Sequence, residues 1–247
     1  MTAHSSAVIV SGASSGIGAA IARSAARSRM VFVGFNQGAE RATEIVRGII
    51  ANGGEAMAIR LPLTDADGLN AGLDAIAAVG RKVDALVLSA NPPPIVISFL
   101  KATGKQFNDQ AAATIIGNHQ LLSQVWRRFF RPRAGGHVIA ILSAAAGASP
   151  TPHLAPYVVA KAGVKALLRA AAAELGQAGL AISTIAPGFT ETPMLASFDP
   201  RLLAAQRKAH GGFLKADDVA ATVCDALDTP PVPGKLHILD LPKAPSS

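Results

Sequence analysis

Tyr157 and Lys161 are the pair whose types and spacing most directly indicate acid–base chemistry. They stand four residues apart in a helical pattern, which places both side chains on one face. A free phenol titrates near pKa ~10, too high for ready proton exchange at neutral pH. A nearby ammonium group stabilises the phenolate and lowers that pKa. The pair therefore predicts a tyrosine that exchanges a proton and a lysine that tunes it.

Ser143 ends a predicted strand upstream of this pair. A hydroxyl at that place can hydrogen-bond a substrate oxygen on which negative charge develops. Taken singly, a strand-ending serine and a solvated Tyr–Lys pair are both explained without catalysis. Together and in this order, Ser143, Tyr157 and Lys161 predict a catalytic set.

A glycine-rich loop, with glycines at 12, 16 and 18, lies between the first predicted strand and the first predicted helix. Glycine permits a tight turn, a close approach of the backbone to a phosphate, and close packing of helix on strand. Exposed N–H groups and the helix dipole then favour a pyrophosphate. The loop predicts a dinucleotide site.

Short apolar strands alternate with helical patterns along the whole chain. The predicted strands are 7–10, 30–33, 55–61, 84–88, 136–142, 180–186 and 236–239. The predicted helices are 17–28, 39–51, 65–79, 106–131, 156–175 and 215–227. Strands that are apolar throughout imply burial on both faces. The sequence predicts an α/β fold, a doubly wound Rossmann-type parallel sheet of about seven strands with helices on both faces.

The composition excludes several classes of protein. Half of the 247 residues are hydrophobic and 16% are charged, which rules out a disordered chain. The net charge of +7 invites a nucleic-acid interpretation, but one Tyr, one Trp and nine Phe supply few stacking platforms. No helix-turn-helix or zinc spacing supports it either. We expect no nucleic-acid partner.

The histidine and cysteine content predicts neither a metal site nor a disulfide. The six histidines show no pairing at ligand spacing, and Cys224 is the single cysteine. The N-terminal residues lack the pattern of a signal peptide, and no uncharged apolar run reaches the roughly 18 residues that span a bilayer. We expect a cytoplasmic protein without membrane contact.

Further motifs follow the predicted strands in a recognisable order. The Gly-x-x-x-Gly-x-Gly loop, the serine after the fifth strand, Tyr157-x-x-x-Lys161, and Pro187-Gly188 with Thr192 after the sixth strand occur at characteristic distances. In these marks the chain resembles the short-chain dehydrogenase/reductase family over nearly its whole length. It is most similar in kind to bacterial 3-oxoacyl-carrier-protein-reductase-like carbonyl reductases.

The resemblance implies an oxidoreductase that moves a hydride between NAD(P)(H) and a carbonyl or secondary alcohol. It implies that Ser143 orients the substrate oxygen, that Tyr157 exchanges the proton, and that Lys161 tunes it and holds the nicotinamide ribose. It also implies one NAD(P)-binding domain over 1–247, with a substrate loop near 190–214. The cofactor positions that it implies are Gly12, Ser14, Ser15, Gly16, Ile17, Gly18, Asn36, Leu63, Ala90, Asn91, Tyr157, Lys161, Pro187, Gly188, Phe189 and Thr192.

Three positions depart from the family pattern. Asn91 replaces a small glycine after the fourth strand, and Pro62 stands where an adenine-binding Asp is usual. An ungapped count back from Ser143 places Ile115 where the family has a proton-relay Asn. Asn118, one turn away, is an alternative relay residue, and a plain position on the helix surface explains this asparagine equally well. We expect weaker adenine binding or an altered proton path, and a pH–rate profile that changes in Ile115→Asn.

The cofactor type follows from charge near the end of the second strand. An acid that would select NAD is absent from 34–37, and the first acid is Glu40. Its absence removes the repulsion of a 2′-phosphate. Ser15 fills a place that is often Arg in NADP-binding relatives, and Arg41 is either a phosphate ligand or a plain surface charge. The sequence favours NADP over NAD.

An alternative from another class is a dinucleotide-binding sensor or scaffold with weak or no catalysis. Loss of hydride transfer in Tyr157→Phe with cofactor binding kept would separate the two.

The apolar stretch 193–213 suits a hydrophobic ketone. The resemblance implies a homo-oligomer, a tetramer or dimer, joined through the long helices after strands four and five, where the alanine-rich face of 164–173 suits close helix approach.

Overall fold

Residues 6–148 and 150–241 are described by a computed structural model. Seven strands form one parallel sheet in the order β3-β2-β1-β4-β5-β6-β9. Its strands are β1 (Ser6–Val10), β2 (Met30–Phe35), β3 (Ala56–Arg60), β4 (Lys82–Leu88), β5 (Gly136–Ile141), β6 (Leu180–Ile185) and β9 (Leu236–Leu239). A short parallel pair, β7 (Thr190–Glu191) and β8 (Leu214–Lys215), lies apart from it.

Helices cover both faces of the sheet because its central strands are apolar on both sides. They are α1 (Gly16–Ala25), α2 (Ala39–Ala51), α3 (Ala66–Ala78), α4 (Gly104–Ala111), α5 (Gly117–Val125), α6 (Ala155–Leu175), α7 (Pro200–His210) and α8 (Ala216–Asp228). One buried cluster joins the sheet to α1, α2 and α8. The other joins it to α3, α5 and α6. The predicted doubly wound parallel sheet is confirmed.

The predicted helix over 106–131 is interrupted in the structure. It begins at Gly104 because Thr103 and Gln106 form a capping box, in which the Thr103 hydroxyl accepts the Gln106 N–H and the Gln106 side chain accepts the Thr103 N–H. Wide π-turns at Ala112–Ile116 and Trp126–Phe130 then flank α5. Periodicity alone did not reveal these turns, because each changes the helical repeat over a single turn.

Helix α7 was not predicted. It begins at Pro200, a residue pre-organised for the first helical position, and the Asp199 carboxylate accepts the Arg201 N–H at 2.7 Å. The remaining boundaries agree with the predicted ones within one to three residues. Since α7 lies within the predicted substrate loop, it adds side chains to the site described next.

Candidate active site

A cleft of about 1100 Å³ opens at the carboxyl edge of the sheet. Ligands of such sheets bind at this edge. The cleft exceeds the roughly 300–1,000 Å³ of a typical single-ligand pocket, which suits a cofactor together with a substrate. Every residue predicted for catalysis or cofactor binding lines it: Ser143, Tyr157, Lys161, Gly12, Ser14, Ser15, Gly16, Ile17, Gly18, Asn36, Leu63, Ala90, Asn91, Pro187, Gly188, Phe189 and Thr192.

The glycine-rich loop shows why larger residues are excluded there. Gly12 has φ +65° and Gly16 has φ +55°, a left-handed backbone that favours glycine. A Cβ on Gly12 would stand 2.6 Å from the Ala90 Cα. A Cβ on Gly18 would stand 2.5 Å from the Gly12 carbonyl oxygen, so helix α1 packs directly on the loop. The loop thus leaves its backbone open to the cleft, as a pyrophosphate requires.

Ser11 holds this loop against the end of β4 and was missed by sequence reasoning. Its hydroxyl donates to the Val87 carbonyl at 3.2 Å and accepts the N–H groups of Ser89 and Ala90, each at 3.1 Å. Ser11 is 1% exposed. A serine between a strand and a glycine carries no distinctive signal, because its partners lie more than 70 residues away.

Arg41 reaches the end of the cleft beside the loop. A Cβ built on Gly38 would lie 2.8 Å from an Arg41 guanidinium nitrogen and 2.8 Å from the Ser14 hydroxyl oxygen, so these two groups are neighbours. Of the described residues that line the cleft, Arg41 and Lys161 are the charged ones. A lining with two cations and no carboxylate suits an anionic dinucleotide.

Tyr157 and Ser143 meet although they come from different elements. Ser143 follows β5 in an extended conformation, and its Oγ accepts the Ala145 N–H at 3.2 Å. Tyr157 lies in the first turn of α6 and is 8% exposed. Burial raises the pKa of the Tyr157 phenol, and a hydrogen bond with Ser143 opposes that rise.

Lys161 lies one helical turn beyond the phenol and is 6% exposed. Its Nζ lies 5.8 Å from the Tyr157 ring centroid and donates to the Ile141 carbonyl at 2.8 Å. Burial lowers the pKa of Lys161 to about 8. The pKa of Tyr157 is therefore raised in the protein alone, opposite to the lowering expected from Lys161, because burial disfavours the charged phenolate.

Asn91, one of the departures from the family pattern, is hydrogen-bonded to the neighbouring helix. The Asn91 Oδ1 accepts the Thr114 hydroxyl at 3.1 Å, and its Nδ2 donates to the Pro92 carbonyl at 2.6 Å. Thr114 is fully buried within the π-turn. Asn91 thus ties the loop after β4 to the helix, and sequence reasoning did not single out Thr114.

Ile115 and Asn118 do not line the cleft. A Cβ on Gly163 of α6 would overlap the Ile115 side chain, so Ile115 packs against that helix. Asn118 is 3% exposed and donates to the Thr114 carbonyl at 2.6 Å, which corrects the interpretation of a surface asparagine. Its Oδ1 has no protein partner among the described residues.

Asp65, the acid that follows Pro62, has a structural role. The Asp65 carboxylate accepts the Gly68 N–H at 3.0 Å and caps α3. Leu61, Leu63 and Thr64 line the cleft in this region. Near the position where the family has an adenine-binding Asp, two of these three lining residues are therefore apolar.

Outside the cleft, the described residues show no further cluster of reactive groups. The pKa of His137 falls to about 4 because it is buried, and its Nε2 lies 2.9 Å from the Ser183 hydroxyl. Among residues 6–148 and 150–241, no cluster of three or more His, Cys, Asp or Glu could hold a metal ion. No helix in that part of the chain is long and apolar enough to cross a membrane.

Comparison with known proteins agrees with this geometry. A family model for short chain dehydrogenases matches residues 6–202. The cis-4-hydroxycyclohexanecarboxylate dehydrogenase of Sinomonas cyclohexanicum is 31% identical over 87% of this chain and 86% of its own length. A 3-oxoacyl-[acyl-carrier-protein] reductase of Staphylococcus aureus is 30% identical over 75% of each chain.

A solved short chain dehydrogenase from Burkholderia cenocepacia, in complex with NADP, superposes with a TM-score of 0.82. It is 27% identical, and the match covers 96% of this chain and 97% of that one. The resemblance seen in the motifs therefore extends to sequence and backbone alike.

Proposed function

The chain belongs to the short-chain dehydrogenase family and is an NAD(P)-dependent oxidoreductase of carbonyls and secondary alcohols, and on that premise we propose that Ser143, Tyr157 and Lys161 carry its chemistry. The single observation that supports this assignment is their convergence in one cleft. The phenol shares a hydrogen bond with Ser143, and the Lys161 Nζ lies 5.8 Å from the ring.

Each residue has a distinct part in the proposed reaction. The nicotinamide, when bound, supplies or accepts the hydride. The Ser143 hydroxyl donates a hydrogen bond to the substrate oxygen and holds it beside Tyr157. Tyr157 gives its phenolic proton to that oxygen in reduction and takes it back in oxidation.

Lys161 prepares Tyr157 for this exchange. Its charged form favours the phenolate over the buried phenol, whose pKa is otherwise raised by burial. When the cofactor is bound, the same ammonium would donate a hydrogen bond to the ribose of its nicotinamide half. Tyr157 and Lys161 would lie beside the positive charge of an oxidised nicotinamide if the cofactor were bound, and that charge would further favour the phenolate.

We propose NADP as the preferred cofactor. The Arg41 guanidinium beside Ser14 and Gly38, with no acidic side chain among the described lining residues, supports a bound 2′-phosphate. The Burkholderia relative with NADP bound is consistent with this preference. Gly12, Ser15 and the first turn of α1 would hold the pyrophosphate.

The test is the oxidation of NADPH and NADH against a panel of ketones, aldehydes and 3-oxoacyl thioesters. We expect turnover with at least one ketone and a lower KM for NADPH than for NADH. Equal KM values for the two cofactors would contradict the cofactor preference. Turnover on no carbonyl, with cofactor still bound, would instead support the sensor alternative, which no described feature favours.

Tyr157→Phe tests the proton donor. The variant keeps the ring but has no exchangeable proton, so kcat should fall by about 100- to 10,000-fold. The Kd of NADPH, followed by fluorescence titration, should stay within about twofold because the ring still packs in place. A variant that turns over at the wild-type rate would assign the proton to another group.

The proposal also covers the domain organisation, the self-assembly and the cellular location of the protein. The chain forms one NAD(P)-binding domain with a substrate region near 190–214, supported by its single seven-stranded sheet. It assembles with copies of itself through the faces of α4 and α6, supported by exposed small and apolar side chains on α6. It acts in the cytoplasm, a placement that its free Cys224 is consistent with.

A further inference from the structure

A second set of cleft residues is not explained by cofactor binding. They come from the loops after β4, β5 and β6 and from the segment that contains α7. We call them the substrate wall: Pro92, Pro93, Pro94, Ala144, Ala145, Thr151, Leu154, Met194, Leu195, Phe198, Gln206 and Phe213. Thr151 and Gln206 are its polar members, and the rest are apolar.

The sheet order puts the substrate wall on both sides of the reacting groups. Strands β4 and β6 flank β5 in the sheet, and Ser143 follows β5. Pro92 to Pro94 follow β4, and the phenylalanines follow β6. A carbonyl held by Ser143 therefore lies between a proline side and a phenylalanine side.

The phenylalanine side is a packed aromatic cluster. Phe189 meets Phe198 edge to face, with ring centroids 5.4 Å apart, and stacks on Phe213 at 5.6 Å. Arg207 lies 4.5 Å from the Phe213 ring centroid and pairs with Glu191 at 3.5 Å. Its charge is thus engaged by the ring and the carboxylate, and Arg207 is not among the residues that line the cleft.

The substrate wall carries no ionised side chain. The two charged residues among the described lining residues stand elsewhere, with Arg41 beside Ser14 and Lys161 bonded to the Ile141 carbonyl. A carboxylate or phosphate that packed on the substrate wall would have no cation among the residues of that wall to pair with. A buried charge without a partner is strongly disfavoured.

We infer that the substrate is an uncharged, ring-containing ketone, or the secondary alcohol formed from it. The inference rests on the proposed function and names its substrate class. The ring packs against the aromatic cluster, and the lack of ionised groups on the substrate wall excludes charged analogues. In reduction the carbonyl carbon gains a hydride, which leaves the cofactor oxidised, and the oxygen gains the Tyr157 proton.

The experiment compares three ketones on the NADPH-loaded enzyme. Cyclohexanone is the neutral ring, a cyclohexanone bearing a ring carboxylate is its anionic counterpart, and methyl butyl ketone is the open chain. We expect kcat/KM for cyclohexanone to exceed that for each of the other two by about tenfold or more. Equal values for the neutral and anionic rings, or a preference for the open chain, would overturn the inference.

Gln206→Arg tests the charge selectivity without changing a catalytic residue. Gln206 is half-buried on α7, so the longer side chain can be accommodated. The new cation should raise the ratio of kcat/KM for the carboxylate ketone to kcat/KM for cyclohexanone by about tenfold. Gln206→Met is the matched control, similar in length and without charge, and should give no such gain. An unchanged selectivity in Gln206→Arg would place the substrate away from this wall.

Phe198→Leu tests the ring. The variant should reduce the preference for cyclohexanone over methyl butyl ketone by about fivefold, because the edge-to-face aromatic partner is lost. Phe99→Leu is its control, since Phe99 is 74% exposed and does not line the cleft. A preference that survives in Phe198→Leu would contradict the role of the cluster.

Ligand binding separates failure of this inference from failure of the proposed function. The Kd of each ketone for the protein loaded with oxidised NADP is measured by calorimetry. Selective binding of the neutral ring without turnover of any ketone would contradict the proposed function and leave the inference standing. Equal binding of neutral and anionic rings would contradict the inference alone.

Discussion

At the scale of single residues, burial decides the protonation of the two groups proposed for proton exchange. It raises the pKa of Tyr157 and lowers that of Lys161 to about 8, since desolvation disfavours the charged form of each. Arg41 differs because it is exposed at the rim of the cleft. Its guanidinium is therefore accessible to a ligand.

The preference for NADP depends on Arg41 in our proposal. Arg41→Ala should raise the KM of NADPH by about tenfold and leave that of NADH nearly unchanged, since a charge-assisted hydrogen bond contributes about 1.5–3 kcal/mol. Steady-state kinetics with both cofactors measure this. Arg47→Ala, an exposed arginine of the same helix that does not line the cleft, is the control. Equal increases in the KM of NADPH and in the KM of NADH would show that Arg41 does not bind the 2′-phosphate.

Lys161 makes the stability of the cofactor-free protein depend on pH. Its folded pKa of about 8 is below the ordinary 10.5, so the unfolded chain binds more protons between these values. Below pH about 8 the cost of burying the charge is fully present, and it is lost as the pH rises toward 10.5. Denaturant unfolding should show the wild type gaining stability relative to Lys161→Met over this window, by up to about 1.4 kcal/mol per pH unit. A difference that stays constant across the window would contradict the shift.

At the scale of elements, the loop after β4 and the π-turn before α5 act as one unit. Thr114 and Asn91 are 23 residues apart and joined by one hydrogen bond. Pro92 to Pro94 follow directly and line the cleft. Asn91, which departs from the family pattern, thus has its side-chain oxygen paired by Thr114.

Thr114→Val should loosen this unit. It removes the hydroxyl but keeps the shape, and the unpaired Asn91 oxygen should cost about 1–3 kcal/mol in free energy of unfolding. The KM of a ketone substrate should rise more than that of NADPH, because Pro92 to Pro94 belong to the substrate wall. Thr222→Val is the control, as its hydroxyl donates to the Asp218 carbonyl within α8. Equal effects of Thr114→Val and Thr222→Val on the KM of the ketone would contradict a coupling between Thr114 and the loop after β4.

At the scale of the whole molecule, α6 belongs to the site on one side and faces outward on the other. Its inward side carries Tyr157 and Lys161. Its outward side exposes Val159, Ala162, Ala166, Ala170 and Ala173 at helical spacing. Small side chains in such a row let a second helix approach closely.

Self-association through this face is tested by light scattering. We expect the wild type to have a mass that is a multiple of the chain mass, and Ala166→Glu to shift it toward a smaller species. The glutamate places a charge at the centre of the proposed contact. Ala75→Glu, on the exposed side of α3, should leave the mass unchanged. A monomeric wild type would contradict the proposed assembly.

The sequence by itself determined the fold class and the cleft residues, because both depend on local chemistry. Apolar strands alternating with helices specify a buried parallel sheet, and its carboxyl edge gathers whatever follows the strands. The glycine-rich loop can be recognised from the sequence because Gly12 and Gly16 adopt a left-handed backbone conformation that other residues avoid. The catalytic and cofactor roles of these residues stay predictions, although all of them line one cleft.

Only the tertiary structure decided the features that join distant parts of the chain. The ungapped count pointed to Ile115, yet a π-turn alters the helical repeat there and puts Thr114 against Asn91. The proximity of Arg41 to Ser14 and the aromatic cluster on the substrate wall likewise depend on packing between separate elements. The direction of each pKa shift depends on burial, which no spacing of residues reports.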